Sequence, residues 1–212
     1  MTRVVLCASF PSGPRAPDVE PYYSTDIALA VVAVAEATLR SGARLVFGAH
    51  PTISPIVLHT ARMLDAGRLV TIFQSAFFES STTEAVRMLT HDLGAHLRTT
   101  KRAADRPESL TIMRTEMFAS RPDCAFFCGG MDGLDEEHRI ARTTGTTTYL
   151  ITEPGGRTAQ LALDATAESR VLEGRAYSSL ALAALERSGA AAPRPVGPLE
   201  SVMYDPDDEA ER

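Results

Sequence analysis

Six short apolar runs, at residues 4–9, 44–48, 69–74, 95–99, 124–128 and 147–152, recur along the chain, each about the length of one strand. Most of them are rich in Val, Leu, Ile, Phe and Cys without polar alternation, as strands covered on both faces must be. Between them the apolar positions return at helical spacing, over residues 24–40, 54–64, 83–93, 107–120, 135–144 and 157–165, with one more helix at 178–187. Strands alternating with helices predict an α/β chain: a Rossmann-like, doubly wound, mainly parallel sheet with helices on both faces.

Ser24, Thr25 and Asp26 offer cap oxygens to the first helix, and Gly42 stops it. From Ala28 to Ala37 this helix is apolar on nearly every face. Such a pattern fits either a buried central helix or a contact between copies of the chain, and a homo-oligomer is expected. From Gly189 onward the composition turns to Ala, Pro, Gly and acid with no sustained period. Residues 1–188 are therefore read as one domain and 189–212 as a mobile tail.

Charge narrows the partners. The net charge of -6 is concentrated after Glu200, which leaves the preceding body close to neutral and argues against a nucleic-acid surface. Lys101 is the sole lysine in the chain, and every other cationic side chain is an arginine. No stretch is apolar enough for a membrane span and no charged-then-apolar leader is present, so a cytoplasmic protein is expected. Cys7, Cys124 and Cys128 all fall in apolar runs without the spacing of a zinc site, so they read as buried thiols. Neither a metal nor a cofactor is expected.

In a parallel sheet, ligands gather outside the carboxyl ends of the strands. Four of the loops there carry suitable residues. The first strand runs into Ser9-Phe10-Pro11-Ser12-Gly13, and the second into Gly48-Ala49-His50-Pro51-Thr52. The fifth enters Gly129-Gly130-Met131-Asp132-Gly133 and then Asp135-Glu136-Glu137, and the sixth leads to Gly155-Gly156-Arg157. Glycine lets main-chain N–H groups approach a phosphate, and a helix start adds donors and a favourable dipole. The dinucleotide GxGxxG and the Walker A pattern are both missing, which disfavours a nicotinamide dehydrogenase and a phosphoryl-transfer enzyme. Arg114 sits between Met113 and Met117, and its spacing allows either a surface pair with Glu108 or Glu116 or a position near the loops.

The order of these pieces resembles the SLOG superfamily, which unites the LOG phosphoribohydrolases with Smf/DprA proteins and nucleotide-sensing immunity domains. The resemblance covers about residues 4–163. Cys7-Ala8-Ser9-Phe10-Pro11-Ser12-Gly13 stands where LOG enzymes have their first small-residue loop, and Phe47-Gly48-Ala49-His50 stands at YGGG. Arg114 matches the arginine of MxxRK, and Gly129, Gly130 and Glu136 match PGGxGTxxE. Cys128, Asp132, Gly133 and Thr115 replace the proline, third glycine, threonine and lysine of those motifs. The Gly-Gly-Met-Asp-Gly box and the His50-Pro51-Thr52 turn look more like the branch found beside TIR and sirtuin-type domains in bacterial defence.

The resemblance implies binding or sensing of a nucleotide-derived ligand of the ADP-ribose or cyclic ADP-ribose class, in anti-phage signalling. Its partner would be a separate effector or a TIR-type signal-producing protein. Ser9, Phe10, Gly48, His50, Thr52, Arg114, Gly129, Gly130, Met131, Asp132, Gly133, Glu136, Glu137, Gly155, Gly156 and Arg157 are the expected ligand contacts. The alternative is a LOG-like hydrolase of the N-glycosidic bond of a nucleoside monophosphate, with Glu136 and Arg114 catalytic.

Overall fold

A computed structural model describes residues 2–165 and 169–189. The proposed tail after Gly189 lies outside them. Seven parallel strands form one sheet: β1 (Arg3–Ser9), β2 (Arg44–Gly48), β3 (Val70–Ser75), β4 (His96–Thr100), β5 (Cys124–Gly129), β6 (Thr147–Ile151) and β7 (Ser169–Leu172). The helices are α1 (Ser24–Arg40), α2 (Ser54–Met63), α3 (Glu84–His91), α4 (Arg106–Ala119), α5 (Gly133–Thr143), α6 (Gly156–Leu163) and α7 (Tyr177–Arg187).

The strand order is β4-β3-β2-β1-β5-β6-β7. The chain winds outward from β1 to β4, returns through α4 on the other face, and winds outward again from β5 to β7. Two apolar layers follow from that path. Ile27, Val31 and Val34 of α1, Val57 of α2, Val86 of α3 and Ala181 of α7 share a core with Leu6, Leu45 and Ile72. Met113 and Met117 of α4 and Leu134 and Ile140 of α5 pack with Val5, Val46 and Phe127 on the opposite face. The predicted doubly wound α/β architecture is present.

The apolar α1 is a central helix. It packs on the sheet between α2 and α7, which accounts for its buried positions within a single chain. Its start differs from expectation. Ser24, Thr25 and Asp26 fall inside the first turn, and Tyr23 takes the cap position with no side-chain bond, its N–H instead donating to Pro154 O at 2.9 Å.

The short 3-10 turns Gly67–Leu69 and Ala76–Ser81 escaped the sequence reading, as did two elements that bear on the site and the sheet edge. β7 carries exposed Arg170 and Val171 between buried Ser169 and Leu172, too short and mixed a pattern to stand out. The segment Gly13–Val19 forms a 3-10 turn, and Tyr22 beyond it pairs with Gly155 as an antiparallel bridge.

Candidate functional site

β1 and β5 are neighbours in the sheet, yet their following helices leave on opposite faces. The ends of these two strands therefore flank the crevice at which a doubly wound sheet receives a ligand. The register pairs Ser9 with Gly129 there, so the first loop and the Gly129 box meet side by side.

Most of the glycine amides at this rim serve the protein itself. Gly130 N–H donates to Ser9 O at 2.8 Å, Gly155 N–H to Thr152 O at 2.9 Å, and Gly156 N–H to Pro21 O at 3.0 Å. A Cβ on Gly156 would stand 2.7 Å from the Gly129 carbonyl carbon, and one on Gly155 would stand 2.1 Å from Pro21 O. Both residues also hold a left-handed φ, of +71° and +72°. The β6–α6 loop thus presses its backbone onto the β5–α5 loop on one side and onto the Pro21-Tyr22 segment on the other. Arg157 N–H to Gly130 O and Thr158 Oγ1 to Gly129 O, at 3.1 and 3.0 Å, complete the joint. The expectation that Gly130, Gly155 and Gly156 present bare amides gives way to a structural use, because each N–H already has a main-chain acceptor.

The free donors sit one step further on. Among the described residues no acceptor faces the N–H groups of Met131, Asp132 and Gly133, where α5 begins. The α5 dipole adds partial positive charge at that point. Asp132 lies above them, about two-thirds exposed, and forms an ion pair with Arg15 at 2.5 Å. Arg157 Nε donates to Asp135 Oδ1 at 2.7 Å, and its Nη1 donates to Gln160 Oε1. Gln160 in turn holds Asp18 O at 3.0 Å, which ties the 3-10 turn across this corner.

Beneath the rim, Arg114 joins neither Glu108 nor Glu116. It reaches across to α5, where Nη1 donates to Glu136 Oε2 and Nε lies 3.4 Å from Glu137 Oε1. Thr111 donates to the other oxygen of Glu136 at 2.6 Å. Both oxygens of Glu136 are therefore occupied. Arg114 also lies directly under Gly133, since a Cβ there would stand 2.7 Å from Nη2. Burial raises the Glu137 carboxyl above its ordinary value, while Arg114 and Cys7 pull it back. Burial also pushes the Cys7 thiol up, and the adjacent Glu137 adds to the effect.

The second loop is built around His50. Its Nδ1 accepts from Thr52 N–H at 3.4 Å and sits 2.9 Å from Thr52 Oγ1, while its carbonyl accepts from Ser54 Oγ at 2.8 Å. An accepting Nδ1 places the imidazole proton on Nε2. Burial lowers the His50 pKa and favours that neutral form. Thr52 Oγ1 lies 3.5 Å from Phe10 N, which brings the first and second loops together. Gly48 carries the edge of Met113, whose Cε would lie 3.3 Å from an added Cβ.

Apart from Gly129, Gly130, Gly155 and Gly156, which form the joint between loops, the expected residues divide into three groups. Met131, Asp132, Gly133 and Arg157 converge at the start of α5; Ser9, Phe10, Gly48, His50 and Thr52 form the neighbouring wall; Arg114, with Glu136 and Glu137, lies beneath the first group at Gly133. Sequence reading missed Arg15 and Thr111. Arg15 belongs to a 3-10 turn that had no periodic signature, and Thr111 reaches Glu136 only because α4 and α5 pack together.

The SLOG cluster3 family profile matches residues 23–185, most of the described chain. The chain belongs to the SLOG cluster3 family. Its fold is similar to that of TM1055, a structural genomics target, with TM-score 0.59, 15% identity, and coverage of 88% of this chain and 99% of that one. It is also similar to DNA processing protein A (DprA) from Streptococcus pneumoniae, with TM-score 0.57, 11% identity and 86% of this chain covered. The match spans 61% of the DprA chain. At such identities these likenesses establish the fold. No curated protein matches the sequence.

Proposed function

We propose that this SLOG protein binds a nucleotide-derived ligand of the ADP-ribose or cyclic ADP-ribose class at the β1/β5 crevice. The observation that carries the reading is the trio of unengaged N–H groups of Met131, Asp132 and Gly133 at the start of α5. Every neighbouring glycine amide in the joint is already bonded, so these three are the donors left for a phosphate. Arg15 and Arg157 flank them as guanidinium forks, suited to the second phosphate of a diphosphate. Asp132 supplies an exposed carboxylate of the kind that accepts ribose hydroxyls. A role in bacterial anti-phage signalling, with a separate effector or a TIR-type enzyme as partner, rests on the resemblance to the defence-associated branch. Self-association belongs to the same proposal, and light scattering across a concentration series that returns only the monomer mass would remove it.

A thermal-shift screen of NAD, ADP-ribose, cyclic ADP-ribose isomers and nucleoside monophosphates tests the ligand class. At one hundred times Kd a ligand stabilises the native state by about 2.7 kcal/mol, and a chain of this size gains roughly 5–10 °C. Asp132→Ala and Arg157→Ala should each cut that gain while leaving the unliganded melting temperature within about 2 °C, because exposed ion pairs contribute little to stability. A screen in which no nucleotide raises the melting temperature would sink the proposal.

The same panel addresses hydrolysis. With both oxygens of Glu136 held by Thr111 and Arg114, its carboxylate is a poor general base, which favours recognition over cleavage. Release of free base from a monophosphate, abolished by Glu136→Gln with the fold intact, would reverse that preference.

A further inference from the structure

α1 and α7 pack side by side on one face of the sheet, and both begin at the rim where the strands end. Neither start is capped by a side chain. Tyr177 opens α7 and is only 5% exposed, yet its hydroxyl completes no hydrogen bond among the described residues. Burial, and after it the neighbouring Asp26, raises the phenol above its ordinary value, so the hydroxyl keeps its proton. Asp26 stands in the first turn of α1 with its side chain 16% exposed. Its carboxylate is near enough to act on the phenol without completing a hydrogen bond to it, and its ion-pair partner among the described residues is Arg175, at 3.6 Å.

Arg175 covers this pair loosely. Its side chain is 64% exposed, its Nε lies 4.0 Å from Glu153 Oε2, and its guanidinium carbon is 5.9 Å from the centre of the half-exposed Tyr23 ring. The distances to Asp26 and Glu153 both exceed a hydrogen bond, so the guanidinium can swing aside without breaking one. What lies beneath it is a buried hydroxyl and a mostly buried carboxylate, side by side and both short of partners. A folded chain ordinarily pairs such groups, because leaving them unpaired costs the full loss of their hydration.

We infer that Asp26 and Tyr177, with Arg175 and Glu153 at the opening, form a binding site for the vicinal diol of a sugar ring. The chemistry of the groups excludes the other simple occupants. A phosphate or carboxylate would face Asp26 and Glu153, an ammonium would face Arg175, and an apolar group would leave Asp26 and Tyr177 as unpaired as before. Two adjacent hydroxyls donate to the two oxygens of Asp26 and accept from Tyr177 Oη and the Arg175 guanidinium. The site lies on the α1 face, behind the Gly129 joint, where Ile27 next to Asp26 packs so closely that a Cβ on Gly129 would stand 2.7 Å from its Cδ1. The open amides belong to α5 on the other face of the sheet, so the diol site does not depend on the nucleotide reading.

Saturation-transfer NMR on the full chain tests it, with methyl β-D-ribofuranoside and its 2-deoxy counterpart as probes. Binding of the ribofuranoside is expected, and of the 2-deoxy compound about fivefold more weakly or less. Asp26→Asn should weaken binding about tenfold or more, and Tyr177→Phe several-fold. Tyr177→Phe also separates a ligand site from a merely structural hydroxyl with no ligand present. Removing a buried hydroxyl that has no partner should leave the melting temperature unchanged or raise it, whereas a hydroxyl bonded within the fold would cost more than about 3 °C when removed. Glu186→Gln, an exposed acid in the last turn of α7, should alter neither measurement. Displacement of the ribofuranoside by ADP-ribose in the Asp132→Ala chain would identify the ribose of a nucleotide as the source of the diol, and no displacement a free sugar. No binding of the ribofuranoside, equal binding of the 2-deoxy compound, binding untouched by Asp26→Asn or lost equally in Glu186→Gln, or that fall in the melting temperature of Tyr177→Phe would each overturn the proposal.

Discussion

Arg114 shows how much one side chain can carry when two carboxylates converge on it. Its guanidinium balances Glu136 and Glu137 at a depth where each side chain is a quarter exposed or less. Arg114→Ala would leave two carboxylates facing each other without a cation, at a cost of about 3 kcal/mol, the lower end for a buried pair that loses one partner. Urea denaturation would read this as a lower midpoint with unchanged slope, and a shift below about 1 kcal/mol would contradict the assignment. Buried titratable side chains set a pH signature. Burial lowers the His50 and His138 pKa from 6.5, so the unfolded chain takes up those protons first and native stability is lost as the pH falls below that value. Glu137 acts in the opposite sense. Its folded pKa is raised above 4.5, so the native state takes up that proton first, and the contribution is present at low pH and lost as the pH rises through the folded value. Glu137→Gln should therefore steepen the fall of melting temperature between about pH 6.5 and 4.5, and an unchanged slope would show that Glu137 titrates normally.

At the scale of elements, the decisive joint is between loops. The β6–α6 turn touches the β5–α5 turn and Pro21 backbone to backbone, a contact that admits no Cβ. Gly145 has the same left-handed φ, +71°, with open space around it, so Gly145→Ala should cost about 1–2 kcal/mol from backbone conformation alone. Gly156→Ala adds a main-chain collision and should cost clearly more, separating the α5 and α6 starts. Calorimetry on the two variants compares them directly, and equal losses would mean that the loops yield easily. The elements themselves were largely legible in sequence. The expected boundaries of β2 coincide with those observed, and those of α2 to α7 lie within two residues, because apolar period and capping act locally. β7 was not legible, since Ser169 is buried against His138 and Thr148, and Leu172 in the core beside α7, and not by any pattern of their own.

For the whole molecule, topology decides what composition could only suggest. The nearly all-apolar α1 left burial and self-association equally open, and packing between α2 and α7 explains it within one chain. A net charge of -6 likewise averages over a rim whose β3/β4 end is cationic and whose β5 end is acidic. Sequence by itself determined the strand and helix succession, the doubly wound class, and the gathering of four glycine- or histidine-bearing loops at the carboxyl ends of the strands. Those follow from local periodicity and the handedness of parallel crossovers. Only the tertiary structure decided which of the loop amides stay unbonded, that Arg114 turns to Glu136 and Glu137, and that Arg15 reaches Asp132 from a turn 117 residues earlier in the chain. Hydrogen-bond partners of that kind are set by which segments are brought into contact, and a one-dimensional pattern carries no record of them.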